Sequence, residues 1–164
     1  MTIGEEIKQE RFTSSHHKVM VNLLFTNNWL VARHSDGLKP YDLTVQQFNV
    51  LRILRGQYPN AITVNAIIER MLDKMSNASR LVDKLLAKGL VTRVVCPNDR
   101  RAVDVLITAK GLSLLAEIDE KMSTWEADII RNMSEEEAEM LSHLLDKLRG
   151  KTASVDCDGN SLQP

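Results

Sequence analysis

Ser76, Asn77, Ser79, Arg80 and Lys84 place short hydrogen-bonding groups ahead of two cations within one amphipathic segment. That order suits the reading of duplex DNA. An asparagine can pair bidentately with adenine and an arginine with guanine O6 and N7, each good pair contributing about 1–3 kcal/mol of discrimination. Lysine reaches phosphate. The bland alternative is the solvated side of an amphipathic helix, and Asp99-Arg100-Arg101 a few residues downstream weighs against it. Guanidinium groups on a rigid loop can enter a narrow minor groove, where the negative potential is enhanced. Asp99 is a poor contact for phosphate, and reads better as a carboxylate that orients Arg101 or a helix cation by a bidentate pair.

The formal net charge is −1, so any attraction to nucleic acid must come from where the charges sit. Between Arg70 and Asp104 the bases are Arg70, Lys74, Arg80, Lys84, Lys88, Arg93, Arg100 and Arg101, twice as many as the acids Asp73, Asp83, Asp99 and Asp104. From Ala116 to Arg149 acids dominate, with Glu135-Glu136-Glu137 the densest run. One region would attract phosphate and the other repel it.

Other chemistries find little footing. There is no glycine-rich phosphate loop, no HExxH and no GxSxG, and the carboxylates are spread along solvated helices, so no enzyme is expected. Cys96 and Cys157 form no CxxC pair, which excludes a disulfide framework or zinc knuckle and leaves reduced thiols. Arg93, Arg100 and Arg101 could lower the Cys96 thiol pKa, the one route to a redox-responsive switch. His16 and His17 are adjacent, so on a helix they point about 100° apart, a poor start for a metal site. With His34 and His143 they are read as surface groups; no metal or cofactor is expected. No stretch approaches the roughly 18 apolar residues of a membrane span, and no secretory leader is evident, so the expected setting is the cytoplasm.

The elements that must position these groups follow from periodicity. Aromatics are 4% of the chain while 43% is hydrophobic, favouring helix packing over a large sheet. Ile3 to Arg33 holds no proline and reads as one long helix, stopping near His34-Ser35-Asp36-Gly37. Thr44 caps a second helix, and Thr63 a short third one carrying Val64, Ile67, Ile68, Met71 and Leu72. A fourth runs from about Asp73 or Ser76 to Lys88, with Gly89 as its left-handed stop. Two short helices across a tight turn are the outline of a helix-turn-helix. Val91–Val95 and Val103–Ile107, rich in β-branched residues and separated by Pro97-Asn98-Asp99, predict a β-hairpin. Thr108 then opens a long helix, and Ser134 with Glu137 forms a capping box for a last one that closes at Gly150.

The run Ser76-Asn-Ala-Ser-Arg-Leu-Val-Asp-Lys-Leu85, then Lys88-Gly-Leu-Val91, Asp99-Arg-Arg101 and Ile107-Thr-Ala-Lys-Gly111 resembles the MarR family. The order of elements agrees over roughly residues 5–149. The resemblance implies a mainly α fold, a winged helix-turn-helix with a long N-terminal helix and two C-terminal helices that dimerise. It implies a repressor relieved by a small ligand or oxidant, and an aromatic or organic-acid effector pocket for which His17 and Phe48 are the candidates. Relatives that sense peroxide carry their cysteine in the first helix, which has none here. Leu72 and Asp73 occupy a turn where the family often has glycine, which leaves the start of the recognition helix open. Val103 stands where a basic wing residue is common.

Residues 1–150 are accordingly expected as a single domain. Its winged helix spans about 44–108, its dimerisation helices about 3–34 and 109–149, and 151–164 form a flexible tail. The apolar seams exceed what a small winged domain can cover, predicting a homodimer. A two-fold axis would set the recognition helices about 34 Å apart, on a pseudo-palindromic operator in double-stranded DNA. A winged module that binds protein is the competing reading; steep salt dependence would mark DNA.

Overall fold

The computed structural model describes the backbone of residues 1–96 and 99–150, and side chains there except at 95, 96, 99–103, 124–126 and 128–130. Helix α1 (Ile3–Glu6) is followed after a break by α2 (Ser15–Leu38), then a 3₁₀ turn (Lys39–Tyr41) and α3 (Val45–Gln57). A short strand β1 (Ile62–Thr63) precedes α4 (Val64–Arg70) and α5 (Ala78–Ala87). The hairpin β2 (Val91–Cys96) and β3 (Asp99–Ile107) leads to α6 (Ala109–Asn132) and α7 (Glu135–Leu148). The fold is mainly helical with one small antiparallel sheet, as expected.

The single long first helix is not what forms. Lys8 takes a left-handed φ of 54°, α1 closes on the preceding turn, and Ser14 starts α2 by accepting the His17 amide at 3.1 Å. The helix also runs past His34 to Leu38, with Gly37 inside it. Its end is enforced instead by Pro40 and by Asp42 in a left-handed conformation.

The three-stranded sheet has the order β1-β3-β2. Ile62 pairs with Val105, and Val91 with Ile107, in a register that holds to Val95 and Val103 before an irregularity brings Cys96 opposite Asp99. The β1 strand is an addition to the expected hairpin. Thr63 both pairs with Asp104 and caps α4, its side chain accepting the Ala66 amide at 3.0 Å.

Met1–Asp119 forms one compact unit and the chain from Glu120 onward another. In the first unit α3 packs on α2, α4, α5 and β3. Leu51, Leu54, Ile67, Val82, Leu85, Val105 and Ile107 are almost wholly buried, joining the helices to one face of the sheet. Arg55 of α3 and Asp119 of α6 form an ion pair. In the second unit the Ser134 cap is as expected: Glu137 N–H donates to Ser134 Oγ at 3.3 Å, and Ser134 N–H donates to the Glu137 carboxylate at 2.9 Å. Gly150, φ 67°, closes α7. Among the described residues no helix is long and apolar enough to cross a membrane. The expected tail, 151–164, lies outside the described residues.

Candidate nucleic-acid interface

α5 is bounded at both ends by bonds its own residues supply. At the start the cap is neither Asp73 nor Ser76 but Asn77, whose Oδ1 accepts the Arg80 amide at 3.0 Å. Asp73 instead closes the turn before the helix, accepting from the Ser76 hydroxyl at 2.7 Å and the Met75 amide at 3.0 Å. Those two bonds, the hydroxyl first, hold the Asp73 carboxyl below the usual aspartate range. Asn49 of α3 steadies the same turn by accepting the Leu72 amide at 3.1 Å. Leu72, expected within the third helix, is 89% exposed, because α4 ends at Arg70.

The far end is a Schellman motif. Gly89, φ 69°, donates to Leu86 O at 2.9 Å, and Leu90 donates to Leu85 O at 3.0 Å. Only a residue tolerant of positive φ closes the helix this way, which accounts for the glycine. Three bonds then fasten this end to the start of α6. Thr108 N–H donates to Leu90 O at 3.0 Å, Thr108 Oγ1 to Gly89 O at 2.9 Å, and Lys110 Nζ to Lys88 O at 2.9 Å. Gly111 permits the approach, since a Cβ there would lie 2.4 Å from Leu90 O.

Between these ends α5 buries Ala78, Val82 and Leu85 and turns Ser79, Arg80 and Lys84 to solvent. Those three match the predicted set and make no ion pair among the described residues. Ser76, half-buried, is taken up by Asp73, and Asn77 has its carbonyl oxygen committed to the cap, leaving its amide nitrogen as the group that can still donate outward. The backbone places Asp99, Arg100 and Arg101 at the start of β3, but their side chains lie outside the described residues, as does that of Cys96.

The basic island thus divides. Arg70 donates to Ala66 O at 2.9 Å and Lys74 to Glu69 O at 3.1 Å, both serving carbonyls at the end of α4. Lys88 pairs with Asp42 at 2.9 Å, and Arg93 of β2 pairs with Asp83 of α5 at 2.5 Å. This last bridge, from α5 to the hairpin, was not foreseen. Its signal was available: an acid on the polar side of the helix, and a base that strand alternation puts on one face of the first hairpin strand.

Neither residue of the pair offered for an effector lines the groove beside α2 and α3. Phe48 is 4% exposed, packed in the core beneath the Arg52 guanidinium, with no face left for a ligand from solvent. His17 is exposed on the first turn of α2, edge-on to Phe12. A groove of about 720 Å³ instead lies along the last turns of α2, the start of α3 and the end of α4, lined by Leu30, His34, Asn49, Met71, Leu72 and Asp73 among others. Among the described residues no group of three or more histidines, cysteines and carboxylates could hold a metal ion.

Comparison with known proteins agrees with this geometry. Residues 41–102 match the model of the MarR family. A MarR transcription factor from Planctomyces limnophilus is 28% identical with a TM-score of 0.62, over 87% of this chain and 100% of that one. A cysteine-to-serine mutant of MarR from E. coli, solved in complex with operator DNA, is 27% identical with a TM-score of 0.67, over 77% and 91%. The S. aureus MepR–DNA complex, 21% identical over 84% and 98%, shares the fold with a TM-score of 0.72.

Proposed function

We propose that the chain, whose residues 41–102 match the MarR family model, is a member of that family and a sequence-specific, double-stranded DNA-binding transcription regulator, a ligand-responsive repressor working in the cytoplasm as a homodimer. The observation that carries this reading is the solvent-facing row Ser79, Arg80 and Lys84 on a helix capped at both ends. Such a row can enter a major groove without refolding, with Arg80 reading a base edge and Lys84 a phosphate. Arg101, aided by Arg100, is assigned to the adjacent minor groove, and Asp99 to orienting Arg101. E. coli MarR, a relative at 27% identity, has been solved with operator DNA, which supports operator DNA as the partner of this chain; a two-fold dimer would call for a pseudo-palindromic site.

Homodimerisation is supported by large apolar side chains left in solvent: Val19, Met20, Leu24 and Trp29 on α2, and Met140, Leu141, Leu144 and Leu148 on α7. Apolar surface of this extent on two helices is the mark of an interface. The effector, an aromatic or organic acid, is assigned to the groove beside Leu30 and His34 rather than to Phe48. Its floor includes the Asp73 turn that starts the recognition helix, so a ligand binding two positions of that turn unequally would shift DNA affinity.

The test is selection of bound fragments from random duplex DNA, followed by salt titration on the selected site. Binding should weaken steeply as salt rises. Arg80→Ala should reduce affinity and relax base preference, at a cost of about 1–3 kcal/mol. Arg101→Ala should reduce affinity with the fold intact. Equal binding by wild type and both variants refutes the assigned roles, and salt-insensitive capture of a protein partner would favour an interaction module instead.

A further inference from the structure

We propose that a notch between the start of α3 and the second half of α5 is a binding site for a phosphate group. The notch, about 400 Å³, is lined by Lys39, Asp42, Thr44, Gln47, Lys84 and Lys88, together with Leu43. Three ammonium groups against one carboxylate give it a positive lining. Lys88 is held by Asp42 and Lys39 by Asp36, at 2.9 and 2.6 Å, so Lys84 is the cation with no anionic partner among the described residues.

Gln47 gives the notch a directed donor as well as charge. Its side chain belongs to a residue only 3% exposed, and its Oε1 accepts the Thr44 amide at 3.0 Å while its own N–H donates to Thr44 Oγ1 at 3.2 Å. The reciprocal cap fixes which end of the amide faces inward. A flip of the amide would set Nε2 against the Thr44 N–H, two donors together, so the oxygen stays on the cap and Nε2 is the end left for the notch. No protein acceptor for that nitrogen is found among the described residues. Gln47 lines the notch, so an anion seated between Nε2 and Lys84 would accept from both. Phosphate, with up to two negative charges and four oxygens, can accept from donors on two helices at once.

The phosphate can come from two sources. It can be free in solution, or it can belong to the backbone of a duplex lying along α5, in which case the site deepens and rests on the DNA reading above. Gln47→Glu distinguishes them without discarding the helix start, since glutamate at this position keeps the capping box while turning the donor into an acceptor. Lys84→Gln, on an exposed position, is the second variant should the first unfold.

The experiment titrates inorganic phosphate against chloride at equal ionic strength, following the side-chain amide of Gln47 and backbone amides of α3 and α5 by NMR. In parallel, the affinity of wild type and Gln47→Glu for a duplex of about 20 base pairs is measured across salt. A free-phosphate site predicts saturable shifts in wild type that weaken roughly tenfold or more in either variant, with the duplex salt slope of Gln47→Glu unchanged. A backbone-phosphate site predicts that Gln47→Glu lowers that slope by about 1. If wild type and variants respond alike to phosphate, and wild type and Gln47→Glu bind duplex with one slope, the notch is refuted while the DNA reading stands. Should wild type bind no duplex, the DNA reading falls and the phosphate titration alone decides.

Discussion

Replacing Gly111 by alanine sets two effects of opposite sign against each other. Gly111 lies in the first turn of α6, where alanine would ordinarily gain at most about 1 kcal/mol of helix propensity. Here the added Cβ would meet Leu90 O at 2.4 Å and Ile107 Cγ1 at 2.7 Å. The first obstacle is backbone, and that carbonyl already accepts the Thr108 amide, so it cannot retreat without loosening the link at the end of α5. Overpacking of this kind costs typically about 1–3 kcal/mol, and the weakened hydrogen bond about 1 more. Set against the propensity gain, the net is a loss of about 1–3 kcal/mol, a fall in Tm of roughly 3–10 °C for a chain of this size. The control is Gly56→Ala near the end of α3, where nothing lies within 4 Å of the new Cβ and stability should hold or rise by up to about 1 kcal/mol. Both are read by urea and thermal denaturation at one fixed protein concentration, with m-values compared to establish a common unfolded state. A Gly111→Ala protein as stable as Gly56→Ala would refute the close-approach reasoning.

Loss of the helix cap in Asn77→Ala should cost about 1 kcal/mol, whereas Asn77→Asp should retain the cap; chemical denaturation separates them, and equal loss in both would remove Asn77 from that role. The Asp83–Arg93 bridge joins two side chains more than half exposed, so a double-mutant cycle should give a coupling below about 1 kcal/mol in stability. Its larger effect should appear as faster amide exchange in β2 of Asp83→Asn, and unchanged exchange would show that the bridge does not restrain the hairpin. Asp73 has its folded pKa lowered chiefly by the Ser76 hydroxyl. Its contribution is therefore complete above the ordinary aspartate pKa and is lost as pH falls through the lowered folded value. Protection of the Met75 and Ser76 amides should decline across that acid window in wild type and be pH-independent in Asp73→Asn; the same decline in both would assign it elsewhere.

Much of the winged region could be read in advance because its boundaries are set by local chemistry. Thr44, Thr63, Gly89 and Ser134 each act through atoms within a few residues, and each does what its type and position predict. The β-branched runs of the hairpin likewise depend on neighbours in sequence. The misread places depend on competition. Asp73, Ser76 and Asn77 are all good caps within five positions, and the choice falls to Asn77 because Asp73 and Ser76 satisfy one another first. The break before Ser14 has no glycine or proline to announce it; the Thr13-Ser14-Ser15 run is the available signal, set against an imperfect apolar stripe free of proline. Phe48 drew notice as an aromatic near a family pocket, yet it sits on the buried stripe of α3 with Leu51 and Leu54, where periodicity alone assigns it to the core.

The two ends of α5 are tethered unequally. Its tail is moored to α6 by three hydrogen bonds across the Gly89 closure, while the turn ahead of its head is tied to α3 by the Leu72 amide to Asn49 and by Asp73 to Gln46. A rod held more firmly at its tail would turn about that end, and any such turn would displace Asn77 to Arg80 the most. Small rotations at the moored end would then be magnified at the residues proposed to discriminate one base pair from the next.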